Sequence, residues 1–296
     1  MTSKFFPNRP YLRGVLFMIA STASFSLMNI FIRMGAEEVH VTVQVFLRNF
    51  LTVIVLVPLA LRHNFALLRT RRLKSHFWRA TIGVVGMQAW FHCVSILPLN
   101  QATALSFTAP IFTTLVAVLL LKEKADIYRW MGIFASFLGV LIILHPGSSD
   151  FTWQSLLVLF ATSMWAMASV LVKALTRTES PLRIVFFMSL FMALWALPPA
   201  LYHWQWPDLY HWIILLAMAT AAFFAQWLLA MAYKETEVVK LMPFDFGRLI
   251  FTAIFAYFAF GEVSNLYTWA GATVILVSTF LAVRRDAKSS STIVSG

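Results

Sequence analysis

Asp245 and Arg248 stand three residues apart inside the apolar run 241–260. On a helix that spacing puts a carboxylate and a guanidinium on one face, where they can pair. Twenty helical residues cover about 30 Å, the thickness of a bilayer's hydrocarbon core. An ionisable group at that depth costs at least about 2.5 kcal/mol unless it faces protein or water. Two chemistries fit: recognition of a charged or zwitterionic solute, or a local brace in which each charge cancels the other. Thr252 extends the same face, and Pro243 interrupts the backbone ladder near its start. Arg48, within the run 41–61, poses the same choice between solute recognition and an interhelical brace.

Polar residues at helical spacing extend these seams. Thr22, Ser26, Asn29 and Arg33 share one stripe; Gln44, Arg48 and Thr52 share another; Gln88, His92 and Ser95 a third. Thr103, Ser106, Pro110 and Thr113 follow, then Thr162, Ser169 and Lys173. Hydroxyls in membrane helices commonly bond back to their own backbone, and end-of-span cations such as Arg33 and Lys173 snorkel to the interface. Trp90, Trp165 and Trp227 offer aromatic faces near the seams for a planar or cationic ligand, and Gln226 adjoins Trp227. The residues expected to bind substrate are therefore Arg248, Asp245, Arg48, Trp90, His92, Gln88, Asn29, Ser106, Trp165, Gln226 and Trp227.

Bond-making chemistry finds no support. There is no GxSxG nucleophile with an activating histidine, and Asp245 is the only carboxylate well inside a span, so facing carboxylates are missing. No GxxxxGK[ST] loop occurs, which argues against an ATP-driven pump. The single cysteine, Cys93, excludes an intramolecular disulfide, and no ligand spacing suggests a metal. No cofactor is implied.

The elements that must position these groups are membrane spans. Of 296 residues, 60% are hydrophobic and only 12% charged, about half the charged share of a soluble domain. Apolar runs give ten spans: 13–33, 41–61, 79–97, 101–121, 130–145, 153–173, 181–202, 209–233, 241–260 and 266–284. The basic start (Lys4, Arg9, Arg13) resembles a signal peptide, but the following segment is too long and lacks a cleavage site, so it is read as the first span. With both ends cytoplasmic, 20 of the 23 basic residues fall in cytoplasmic segments. The external connections keep Arg33 beside Glu37, Glu38, Asp150, Asp208 and Glu262. That partition accounts for the net charge of +11 without a nucleic-acid partner.

The chain repeats itself. Thr22, Ser26, Asn29 and Arg33 align with Thr162, Ala166, Ser169 and Lys173 at an offset of 140. Glu123, Trp130 and Gly132 align with Glu262, Trp269 and Gly271 at an offset of 139. Five spans per half force the halves into opposite orientations, an architecture of secondary transporters. The expected units are 13–145 and 153–285, followed by a disordered tail at 286–296. Arg48 and Arg248 are not duplicated, since their counterparts are Met188 and Ala109. Span five carries Gly132 with Ser136 and Ala135 with Gly139, small-residue pairs suited to close helix contact.

With "LLLKE" and "FAFGE" closing spans four and nine, and with "ALSFTAPIF" and "MPFDFGRLIF" within them, the chain resembles the EamA-type drug/metabolite transporter superfamily over nearly its whole length. Lys122-Glu123 departs from the Gly-Glu pair seen at Gly261-Glu262. The resemblance implies a ten-helix all-α fold with a cavity formed by spans one, three, four, six, eight and nine. It also implies substrates such as amino acids, related metabolites, riboflavin or S-adenosylmethionine. The reading is an inner-membrane, alternating-access carrier of a small organic metabolite, with protons or a counter-substrate as coupling partners and Asp245 and His92 as the titrating groups. An intramembrane enzyme, a channel or a structural membrane subunit are the rivals.

Overall fold

A computed structural model describes residues 9–62, 70–109, 111–112, 115–116, 127–144, 152–235, 241 and 244–278. Pro110, Pro243, Lys122, Glu123, Asp150, the side chain of Lys173 and the tail at 286–296 lie outside the described residues. Among the described residues, nine helices follow in order: α1 (Arg9–Gly35), α2 (Val41–Arg62), α3 (Leu73–Ile96), α4 (Leu99–Ser106), α5 (Ile127–Leu144), α6 (Trp153–Thr176), α7 (Pro181–Tyr202), α8 (Leu209–Glu235) and α9 (Gly247–Phe260). A tenth, α10, covers Leu266–Ser278. Every expected span therefore contains a helix, and no strand occurs among the described residues. Of these, α1, α2, α6, α7 and α8 are long and apolar enough to cross a membrane unaided.

Local signals set the helix ends. Ser180 accepts from the Arg183 N–H at 3.3 Å and Pro181 opens α7, a cap followed by a residue already fixed at helical φ. Asp208 takes the His211 N–H at 2.8 Å at the start of α8. That bond, joined by the His211 side chain, holds the Asp208 carboxyl below its ordinary range. Gly261 ends α9 at φ 66°, its N–H reaching Tyr257 O while the Glu262 N–H reaches Ala256 O. This left-handed turn suits a glycine, and the residue after it, Glu262, pairs with Arg33 of α1.

The two halves exchange helices. α1 packs most heavily on α8, and its repeat counterpart α6 packs on α3, while α2 lies against α7. Ser21 Oγ donates to Ala225 O at 2.7 Å where α1 meets α8. Gly86, 139 residues before Ala225, occupies the matching crossing on α3. A Cβ there would stand 3.2 Å from Ala161 O and 2.8 Å from Met164 Cβ. The same two-fold logic brings α5 and α10 together at Gly139 and Gly271. Lacking a hydrophobic drive between helices in lipid, such close approaches rest on small residues and backbone contact.

Span four departs from an unbroken helix. α4 stops at Ser106 and turns through Phe107 and Thr108, whose N–H groups reach back only three residues to Ala104 O and Leu105 O. Span nine turns at Phe246 before α9 begins. Phe107 and Phe246 are 139 apart, so they are repeat equivalents, and their rings meet at 4.3 Å between centroids. Irregular backbone at membrane depth is tolerated only where protein or a cavity covers it.

Near the basic loops, Glu179 joins two connections. Its carboxylate accepts from Thr70 Oγ1 and from Arg183 Nη1, each at 2.6 Å. Burial alone would push this acid up; the two hydrogen bonds and the nearby Arg183 and His76 charges outweigh it, holding the carboxyl below its ordinary 4.5. A depressed carboxyl contributes stability above the unfolded value and loses it as pH falls through the folded one. Wild-type protein should thus lose thermal stability more steeply than Glu179→Gln as pH drops below 4.5. Parallel melting curves from pH 6 to pH 3 check this, and coincident slopes would contradict it.

Candidate functional site

The helix breaks build a site around Arg248. Its residue is 8% exposed, and its guanidinium carbon lies 5.4 Å from the Phe107 ring centroid and 6.0 Å from that of Phe25. Nη2 donates to Asp245 Oδ2 at 3.2 Å, a longer contact than a tight ion pair makes. Nε has no partner. Asp245 keeps about a third of its side chain exposed. The carboxylate therefore moderates the cation without using up its donors.

The seam read from α1 holds α9 in place. Ser26 Oγ donates to Arg248 O at 2.9 Å and receives Thr252 Oγ1 at 2.9 Å. These hydroxyls bond across helices, beyond the local back-bonding expected of them. Ser26 Oγ also bonds back, to Thr22 O at 3.0 Å, and Ser106 does the same, to Thr103 O at 2.7 Å. A second cluster lies where α1 meets α3: Trp90 Nε1 donates to Asn29 Oδ1 at 3.1 Å, and the Trp90 and Trp165 rings stand 4.9 Å apart. Trp90 is 1% exposed, so Asn29 satisfies an indole N–H that would otherwise be stranded.

Other expected residues lie elsewhere. His92 is exposed and close enough to bear on His40 in the α1–α2 connection. Trp227 stacks on Phe223 of its own helix at 5.9 Å, and Gln226 beside it is half-buried. Gln88 is half-buried with Nε2 unpartnered. Arg48 is fully buried on α2, where Nη1 donates to Asn49 Oδ1 at 2.6 Å. The rings of Phe25, Phe107 and Phe246 were not among the expected site residues. The repeat offset pairing Phe107 with Phe246 was the available signal.

Arg33, at the end of its span, has partners across the bundle. Nη1 pairs with Glu262 Oε2 at 2.7 Å, Nη2 donates to Leu97 O, and the guanidinium carbon lies 5.4 Å over Phe260. It thereby fastens α1 to the ends of α3 and α9. Beside this latch a cavity of about 370 Å³ is lined by Asn100, Gln101 and Glu262, with Thr152 and Asn265. The pair is less than one-quarter exposed on either side. Glu262→Gln should cost about 1–2 kcal/mol, between an exposed pair and a desolvated one. An Arg33/Glu262 double-mutant cycle on thermal unfolding would show a coupling near zero if the latch were incidental.

A model of the "EamA-like transporter family" matches residues 12–145 and again 152–284. The chain belongs to the EamA-like transporter family. Across 283 residues this EamA-like chain is 28% identical to the S-adenosylmethionine uptake transporter of Rickettsia prowazekii (strain Madrid E), covering 96% of each. It is 30% identical over 283 residues to the riboflavin transporter of Brucella anthropi, covering 93% of this chain and all of the relative. A solved crystal structure superposes with a TM-score of 0.64 at 14% identity, covering 93% of this chain and 98% of that one, a likeness of fold alone. The EamA-like chain is thus a multi-pass membrane protein and a small-metabolite transporter, not an enzyme.

Proposed function

We propose that the chain carries a planar, cofactor-like organic metabolite bearing an acidic or carbonyl group, by alternating access between its two halves. The observation that carries this reading is Arg248: a buried guanidinium with a free Nε, set over two aromatic rings where the helices break. Such a group offers a flat ligand a stacking surface and a directional donor at once. The relatives named for S-adenosylmethionine and riboflavin carry solutes with flat heterocycles, which fits. We further place the protein in the inner membrane with both termini cytoplasmic, from the partition of lysine and arginine. Asp245 stands beside Arg248 and is the group through which proton coupling would act; His92 is remote from it.

Counterflow in proteoliposomes tests the reading. Vesicles preloaded with a candidate metabolite should accumulate labelled tracer transiently for one or a few members of a panel of flavins, adenosyl compounds, amino acids and sugars. Saturable counterflow confined to amino acids or sugars would move the assignment away from planar ligands. Linear, non-saturating flux would make the protein a channel. Imposing a pH gradient in the same vesicles tests proton coupling, and Asp245→Asn should abolish any stimulation it gives.

A further inference from the structure

Two more guanidiniums lie inside the bundle, away from Arg248. Arg48 on α2 is 1% exposed and Arg79 on α3 is 6% exposed. Arg48 spends Nη1 on Asn49, while its Nε has no partner; Nε and Nη1 of Arg79 have none. They face the same stretch of α3: Arg79 Nη1 lies against Gly83, one turn before Met87, whose sulfur the neighbouring Asn49 reaches. Asn49 Nδ2 donates to Val45 O and to Met87 Sδ, which fixes this end of α2 against α3. α7 closes the third side. A Cβ on Gly83 would meet Arg79 Nη1 at 2.8 Å and Met192 Cε at 2.3 Å, so the bare glycine leaves the room that the guanidinium and the methionine fill. One turn before Met192, Ser189 is fully buried with an unpartnered Oγ.

Burial and mutual repulsion both oppose this arrangement, and arginine cannot relieve either by giving up its proton. Among the described residues, the ion pairs engage Arg33, Arg183 and Arg248 but neither Arg48 nor Arg79. Glu179 is already held by Thr70 and Arg183. An anion would answer both costs, and planar guanidinium forks match carboxylate and phosphate oxygens in particular. We propose that Arg48, Arg79 and Ser189 form a second site between α2, α3 and α7 that binds an oxyanion, a carboxylate or a phosphate group. It is separate from the Arg248 pocket, so either can fail without the other.

The oxyanion has two sources, an acidic lipid headgroup or a soluble anion, and one experiment separates them. Full-length protein is placed in phosphatidylcholine nanodiscs, and its unfolding temperature is followed against inorganic phosphate or malonate, then against the fraction of phosphatidylglycerol. A rise with phosphate or malonate assigns a soluble oxyanion; a rise only with phosphatidylglycerol assigns a lipid phosphate. In either arm Arg48→Gln and Arg79→Gln should abolish the rise, and Arg248→Ala should keep it. Ser189→Ala, which deletes one neutral donor, should raise the half-saturating concentration roughly three- to tenfold. Where Arg79→Gln does not fold, Arg79→Lys keeps the charge without the fork and should weaken binding about tenfold. No rise in either arm for wild type, or an equal rise in the Arg48 and Arg79 variants, overturns the proposal.

Discussion

Arg248→Ala should slow counterflow of the transported metabolite by roughly ten- to a hundredfold while leaving the protein folded. A hydrogen bond to a charged group contributes about 1.5–3 kcal/mol, and each 1.4 kcal/mol is tenfold. The substitution removes such a donor together with a cation facing Phe107 and Phe25. The fold should tolerate it for two reasons. Ser26 bonds the backbone oxygen of Arg248, not its side chain. Asp245, left without its partner, retains access to water through its exposed third. The companion variants separate recognition from bracing. If Arg248 existed to cancel Asp245, then Asp245→Asn would cost as much transport as Arg248→Ala. A ligand-binding arginine predicts a small effect of Asp245→Asn on counterflow without a pH gradient, and an intermediate one for Arg248→Lys, which keeps charge but loses the planar fork. Equal losses at 245 and 248 would return the pair to the scaffold.

Spans, repeat and pairing of Asp245 with Arg248 were legible because each rests on a local period: apolar length against bilayer thickness, a fixed offset, and three-residue helical spacing. Ser26 and Thr252 were legible as faces but not as partners. Their meeting depends on α1 crossing α9, and crossing geometry belongs to packing. The breaks in spans four and nine were signalled by Pro110 and Pro243, yet the described turns fall at Phe107 and Phe246. Aromatic residues in an apolar run give no periodic sign that two of them will meet across the halves. The partners of Arg33 were hidden for a related reason. A cation at a span end has a generic escape to the interface, and nothing within one helix says that Gly261 will turn Glu262 towards it. Arg79 opens the span 79–97 and is one of the 20 basic residues assigned to cytoplasmic segments, yet it is buried.

The α5–α10 crossing carries the largest expected effect on stability. Gly271→Val should lower the unfolding temperature by roughly 5–10 °C, the scale of about 3 kcal/mol of overpacking in a domain this size. The first added carbon already fails to fit. A Cβ at 271 would lie 2.5 Å from Gly139 O, 2.5 Å from Ile143 Cγ1 and 3.1 Å from Ile143 N. A flexible side-chain tip can swing aside, but two of those three atoms are backbone, so the helices themselves must separate. Gly139 stands in the reciprocal position, with Gly271 O at 2.8 Å and Ile275 Cγ1 at 2.6 Å, and Gly139→Val should cost a similar amount. Because both changes open one interface, the double variant should cost less than the sum of the singles. Gly261→Ala provides the contrast: its Cβ meets nothing within 4 Å, and only its φ of +66° opposes it. That backbone term is about 1–2 kcal/mol. A melt in which Gly261→Ala outranks Gly271→Val would mean that the crossing is looser than its backbone contacts require. The expected order instead ties the scaffold to the small residues of spans five and ten, behind the broken helices that hold Arg248.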